Sequence, residues 1–387
     1  MGLLVPLDPN RTFYAPQFKI VLKGQTLDPM ALRDVQEVTY TDDSANLDAV
    51  EFTLCDWDPV QNRPKYSSPY NDDGSPYKID GKPVPNFEPG ADLELHVGYQ
   101  GDKELTLMLK GEVVSITPNF PAAGSPVVRV RALNYLYRLQ SKRVTETLEG
   151  KPLEIAGKIA EKAGVSSVKM PPGGATGESR KDVLTNVVAY EEIHKRAKEA
   201  GLTVRLEDDG RQTTLHFEAP VGSDPVASLA WGLNLINFAP QLSARGGVGK
   251  VIVRNVDPAQ AGDKQRFEGE ATWDDIPNLD RKALGPLGFD ETLKSFQDIV
   301  EEVTDTEARS QEAAQAKALE RLTGLAAELV KANGSTIGDP RLRAGAVVEI
   351  AGVGPRFSGK YKLTQTTHAI GASGYTTTFQ AAKVFLT

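Results

Sequence analysis

Clusters of Gly, Pro, Asp and Asn divide the first 135 residues into short apolar or alternating runs, and this rhythm constrains the fold more than any other feature of the chain. The runs are "QFKIVLKGQTL", "DVQEVTYTDD", "LDAVEFTLCDW", "ADLELHVGY", "LTLMLKGEVVSITP" and "SPVVRVRALN". Side chains alternate across a strand, so each run can bury one face, and the breakers between runs supply turns. An antiparallel β barrel or sandwich is predicted.

The rhythm returns at the far end of the chain. "EPGADLELHVGY", "LKGEVVSITP" and "PVVRVRA" place a Gly before an apolar strand, a Gly at the head of an alternating strand, and a third β-rich strand; "LRAGAVVEIAGV", "FSGKYKLTQTTHAI" and "GYTTTFQAA" repeat that order. Gly111 to Val130 and Gly359 to Gln380 are matched spans of similar length. The repetition predicts a duplicated β domain. It also assigns "GVGPRFSGKY", Gly352–Tyr361, to a hairpin between two strands. Gly354–Lys360 has the G-x-x-x-x-G-K spacing of a phosphate-cradling loop, but Tyr361 stands where a magnesium-binding hydroxyl residue belongs, and Thr-rich alternation follows where a helix should open. No nucleotide site is predicted, and Lys360 should face solvent or a neighbour.

Between the two β regions the period changes. "PLEIAGKIAEKAGV" sets Leu153, Ile155, Ala156, Ile159 and Ala160 on one helical face and stops at Gly164; a second helix ends near Gly201, and a hairpin turns at Asp209-Gly210. This reads as a small α/β module of LysM-like βααβ character, and a peptidoglycan-binding tail component is the alternative that it raises. His194 and the charges from Glu191 to Lys198 have the spacing of a solvated helix face.

After the strand-like "LNLINFAPQLS" and "GVGKVIVRNVDP", a helix is predicted at about 304–333. Thr304 and Glu307 make a capping box, Leu319, Leu322, Ala326 and Leu329 an apolar stripe, and Asn333-Gly334 a stop. The stripe is too short for a coiled-coil seam and predicts a helix packed on its own sheet. The terminal Val384, Phe385 and Leu386 are either the last edge of the barrel or part of a docking platform.

The segment 59–87, "PVQNRPKYSSPYNDDGSPYKIDGKPVPNF", holds six prolines with Tyr66, Tyr70 and Tyr77. It is too long for a hairpin loop, and long irregular segments are functional or disordered. The alternatives are a docking loop ordered by a neighbouring chain and plain disorder.

At 387 residues the chain has room for two to four domains, and its formal charge of −8 disfavours binding to nucleic acid or an anionic membrane. The single cysteine, Cys55, allows no internal disulfide or thiolate metal cluster and is expected as a small buried hydrophobe. His96, His216 and His368 are scattered singly in strand-like runs without ligand spacing. The N-terminus lacks the pattern of a signal peptide, and no apolar run is long enough for a membrane anchor. No catalytic residue, cofactor or metal site is predicted; a hydrolase or nucleotide-dependent enzyme would rest on the failed phosphate loop alone.

Three stretches taken in order, "YEEIHKRAKEAGLTVRLEDDGRQTTLHFE", "LAWGLNLINFAPQLS…VGKVIVRNVDP" and "RLRAGAVVEIAGVGPRFSGKYKLTQTTHAIGASGYTTTFQA", resemble the late control protein D family of contractile phages. Those are baseplate hubs related to the N-terminal part of VgrG and to the hubs of extracellular contractile injection systems. The resemblance implies an α+β, mainly β chain: a first tube-like antiparallel β-barrel domain over 1–140, an α/β module over 141–222 and a second tube-like domain over 223–387. It also implies a homotrimer with two tube-like domains per chain, a pseudo-sixfold ring that joins the tail tube to a threefold spike. Its partners would be tail tube subunits, a separate trimeric spike, baseplate wedge proteins and the tape measure protein, in a virion tail baseplate or injection particle assembled in the bacterial cytoplasm. VgrG chains continue into an OB-fold and a β-helix, whereas "FQAAKVFLT" closes this sequence directly after the last strand, so the resemblance places the piercing tip on another polypeptide. The family has no catalytic residues in these segments.

Overall fold

In the computed structural model the described residues are 15–44, 46–175, 177, 179–219, 224–244, 247–256, 266–285, 288–305, 308 and 310–385. The chain is α+β and mainly β. The first unit comprises β1 (Pro16–Leu22), α1 (Pro29–Asp34), β2 (Val35–Asp43), β3 (Ala49–Cys55), β4 (Asp92–Tyr99), β5 (Thr106–Asn119) and β6 (Val127–Asn134). Alternation builds it: β3 turns Val50, Phe52 and Leu54 inward, and β4 adds Leu93, Leu95 and Val97 to the same core.

An α/β module follows, with its own core. Strands β7 (Arg143–Gly150) and β9 (Arg180–Val188) pair antiparallel. A separate sheet holds β8 (Ser167–Lys169), β10 (Thr203–Asp208) and β11 (Thr213–Glu218) in the order β8-β11-β10. Helices α2 (Pro152–Lys162) and α3 (Ala189–Glu199) pack against each other. α2 opens on Pro152, with the Glu154 carboxylate accepting the Lys151 N–H at 3.0 Å, and buries the five residues that its periodicity selects. The β10–β11 hairpin turns through Gly210 at φ 81°.

The second unit comprises β12 (Pro225–Ala230), β13 (Leu235–Leu242), β14 (Lys250–Val256), β15 (Arg266–Thr272), β16 (Val300–Thr304), α4 (Gln311–Leu329), β17 (Val330–Ile337), β18 (Val347–Ala351), β19 (Gly359–Gly371) and β20 (Gly374–Lys383). The helix is shorter than its sequence pattern suggests. It starts at Ser310, whose side chain accepts from Ala313 N–H at 3.1 Å, while Thr304 ends β16 and Glu307 lies outside the described residues. As expected, it packs on its own sheet, β15-β14-β16. Gly269 makes that close approach possible, since a Cβ there would sit 2.1 Å from the Ala314 backbone. Asn333-Gly334 does not stop the helix. Both lie inside β17, because a Cβ on Gly334 would meet the Phe379 ring at 2.3 Å, and the strand is built around that ring.

One 13-stranded sheet runs through both units in the order β13-β17-β20-β19-β2-β3-β6-β5-β4-β1, ending on the two-residue strand Gln25–Thr26 beside β1, with β18 pairing β19 and β12 off this path. The strands repeat: β2-β3-β6-β5-β4-β1 in the first unit corresponds to β13-β17-β20-β19-β18-β12 in the second, except that β1 pairs β4 antiparallel where β12 pairs β18 parallel. Bulges mark the correspondence. β5 shifts register against β6 between Val113 and Ser115, and β19 against β20 between Leu363 and Gln365. β2 shifts against β3 between Val35 and Glu37, and β13 against β17 between Leu235 and Asn237. The bulges align Gly111 with Tyr361, two residues away from the glycine-to-glycine alignment that the sequence suggests.

The segment 59–87 is ordered against its own unit, which overturns plain disorder and means that no neighbouring chain is needed to order it. Tyr66 and Phe87 belong to the first core, with Phe87 edge-on to Phe52 at 5.5 Å and to Tyr66 at 6.1 Å. Buried Asp56 accepts from the N–H groups of Lys65 (3.1 Å), Tyr66 (2.6 Å) and Ser67 (3.1 Å), which folds the segment back on β3. Tyr77 is buried and donates to Asp58; Tyr70 alone of the three tyrosines is exposed. Cys55 is half-buried at the end of β3 and carries a free thiol, less enclosed than a core hydrophobe.

Candidate functional site

The feature that unites the two units is the seam between β2 and β19. These antiparallel strands pair Gln365 with Asp43, Thr366 with Asp42, His368 with Tyr40 and Ile370 with Val38. Ser44 N–H donates to Thr364 O at 3.0 Å, so by alternation the backbone groups of 366, 368 and 370 face β2. The tip of the β19–β20 hairpin is sunk into the first core, where Ile370 and Tyr375 are each 6% exposed.

Polar groups lock the seam from inside. Arg343 follows β17 in the second unit and reaches into the first, where it pairs with Asp42, donates to the Tyr40 hydroxyl at 2.5 Å and donates to Met108 O at 3.2 Å. The Ala344 N–H also donates to Asp42, at 3.2 Å. Tyr99 donates its hydroxyl to Gly338 O at 2.7 Å, and its ring tilts against Tyr375 at 5.7 Å. Buried groups of this kind are tolerated because each has a partner. Burial, then the nearby Asp42 charge, pushes the Asp48 carboxyl above the usual carboxylate range, with Arg343 acting against them.

His368, a scattered histidine in the sequence, sits in this lock. Leu342 O lies 2.8 Å from its Nε2, so Nε2 carries the proton, and Nδ1 then accepts from the Tyr375 hydroxyl at 2.8 Å. Burial pushes the imidazole down to about 4, against the opposing pull of the Leu342 hydrogen bond. His96 lies on β4 beside Glu94 and His216 on β11 beside Glu207, both away from the seam. His194 stacks on Tyr190 at 5.5 Å. The helix face that carries His194 is less solvated than its charges suggest: Arg196 is buried and paired with Glu192 and Asp182.

The near-miss phosphate loop is a β connection, as predicted. Residues 352–358 join β18 to β19, Gly352 and Gly354 have φ of 80° and 81°, and the N–H groups of Phe357 and Ser358 are taken by Gly354 O. Lys383 closes the loop by donating to Arg356 O at 2.9 Å and Ser358 O at 2.6 Å, while Tyr361 is fully buried beneath it. The loop presents no helix N-terminus to an anion. Phe385 is buried in the second core against Phe289 at 6.1 Å, so the tail beyond β20 is tied down; Leu386 lies outside the described residues. No grouping of His, Cys, Asp and Glu suited to a metal occurs among the described residues, and none of their helices is long and apolar enough to cross a membrane.

A family model described as the Alg8 N-terminal domain matches residues 75–372. The chain belongs to the Alg8 N-terminal domain family. That match begins inside the 59–87 segment and ends just after β19, so it leaves out β1–β3 and β20, and the family description carries no role to the seam. No curated protein matches the sequence. Solved structures share the fold over nearly the whole chain. The 43 kDa tail protein of prophage MuSo2 from Shewanella oneidensis superposes with a TM-score of 0.63 at 12% identity, over 95% of this chain and 98% of that one. A tail protein from Neisseria meningitidis gives 0.64 at 13%, over 96% and 97%. An E. coli protein described as a type VI secretion component similar to T4 bacteriophage tail proteins gives 0.50 at 12%, over 95% and 77%. At such identities the likeness is one of fold.

Proposed function

We propose that the protein is a structural component of a phage-type tail or contractile injection machine: a homotrimeric baseplate hub of the late control protein D kind. Its domains would be the tube-like 1–140 and 223–387, flanking an α/β module at 141–222; three separate buried clusters support that division. One observation carries the reading. Two units with the same strand order and two shared bulges are fused into one sheet at the β2–β19 seam. A chain with two like units presents six like units as a trimer, which lets a sixfold tube sit on a threefold spike. In this reading the seam holds a ring together and the chain catalyses no reaction.

The partners would be tube subunits on one face and a trimeric spike on the other, with wedge and tape measure proteins around them, in a tail baseplate. Several equivalent weak contacts on each face would act together. Mass photometry of the full chain tests the reading: particles of three times 41.8 kDa are expected. Co-expression with tube and spike proteins of the same gene cluster should then give a complex that elutes as one species. A chain that stays monomeric and binds none of them would overturn the proposal.

A further inference from the structure

The seam within the chain is a template for two strand edges that remain open. Aligned on their shared bulges, β5 is the first unit's counterpart of β19, and β13 is the second unit's counterpart of β2. Among the described residues, both lack the partner that the seam supplies. β4 pairs only with Thr106–Glu112 of β5, so the rest of β5 has β6 on one side and, among the described residues, no strand on the other. β13 ends the sheet and, apart from a bridge between Leu235 and Trp231, pairs among the described residues only with β17.

Both open edges are apolar and uncharged. Phe120 occupies the position of Ile370, yet it is 56% exposed where Ile370 is 6% exposed. Beside and on β13, Trp231, Leu233 and Ile236 are 54%, 77% and 54% exposed. Neither "SITPNF" (115–120) nor "FAPQLS" (238–243) contains a charged residue, although charge is a usual guard of an edge strand.

We propose that the β5–β6 hairpin of one copy docks on the β13 edge of a second copy of this chain in the register of the β2–β19 seam. The proposal rests on the trimeric reading and adds which strands meet and how. Carried over from the seam, the register sets Ser115 opposite Ser243, Ile116 opposite Leu242, Pro118 opposite Pro240 and Phe120 opposite Phe238. Two apolar pairs thus flank a pair of prolines. Ser243 N–H donates to Leu329 O, so by alternation 242, 240 and 238 turn their backbone groups outward, and the shared bulge phase does the same for 116, 118 and 120. The Pro118–Pro240 pair leaves two carbonyls without a strand partner and orphans no N–H, the less costly case. Prolines at these edges also discourage pairing with unrelated strands.

The test places two cysteines in a Cys55→Ser chain, Asn119→Cys and Ala239→Cys. The register makes these residues a non-hydrogen-bonded pair, with Cβ atoms roughly 4.5–5.5 Å apart. Mild oxidation should yield covalent dimers and trimers on a non-reducing gel, and neither single substitution should. Phe120→Asp should weaken assembly at least tenfold in mass photometry. A trimer that forms without this cross-link, and is indifferent to Phe120→Asp, overturns the docking and leaves the trimeric reading standing. A chain that is monomeric at every concentration overturns both.

Discussion

Arg343 and Asp42 are 301 residues apart in sequence and form an ion pair across the seam, the arginine from the second unit and the carboxylate from the first. The same guanidinium lies over the Tyr40 ring, 4.9 Å from its centroid. One side chain thus joins the two units by charge, hydrogen bonds and ring contact.

Arg343→Met should therefore destabilise the chain by about 2–4 kcal/mol, because it leaves Asp42 with little solvent and no cation. Adding Asp42→Asn should recover part of the loss. Urea unfolding checks both variants; an Arg343→Met chain within about 0.5 kcal/mol of wild type would show that the pair does not hold the seam.

His368 predicts a pH dependence. Its imidazole is held down to about 4 against an ordinary value near 6.5, so its contribution is fully present above pH 6.5 and is lost as pH falls through that window. His368→Gln removes the titration. The stability of wild type relative to that variant should fall by about 3 kcal/mol between pH 7 and pH 4. Asp48 shifts the opposite way, but it is common to both proteins and drops out of the difference. A pH-independent difference would place His368 in a wetter site than the seam provides.

The 59–87 segment should behave as core. Phe87→Ala is expected to cost about 3–5 kcal/mol, and deletion of 62–84 should unfold the first unit, since it removes Tyr66 and strands Asp56 without its three N–H donors. A cooperative thermal transition at the wild-type temperature in the deletion variant would contradict this.

Magnesium nucleotide should not bind the Gly354–Lys360 loop, whose carbonyls are held by Lys383 and whose Phe357 and Ser358 amides are held by Gly354. Calorimetric titration should give no micromolar heat signal, and Lys360→Ala should change nothing. A micromolar signal abolished by Lys360→Ala would reverse the assignment.

The sequence made much of the fold legible wherever a pattern was local. The alternation of Val50, Phe52 and Leu54, the α2 face from Leu153 to Ala160, the turn at Gly210 and the repeated strand trio all depend on neighbours a few residues away. The seam was hidden because its partners are hundreds of residues apart, and because Asp42, Arg343 and His368 look like ordinary solvent-facing positions in or beside polar strands. Gly334 misled for a related reason: as a helix stop it needs only its neighbours, but its place in β17 depends on Phe379. The prolines and tyrosines of 59–87 signalled a special segment, but its anchors, Asp34, Asp56 and Asp58, are common residues whose role appears only once the chain is folded.

Averaged top views of the purified chain by electron microscopy show whether its two like units build a ring. Closed rings of threefold symmetry are expected, in which six similar lobes, two per chain, surround one axis. Monomers alone, or closed assemblies of any other symmetry, would contradict this.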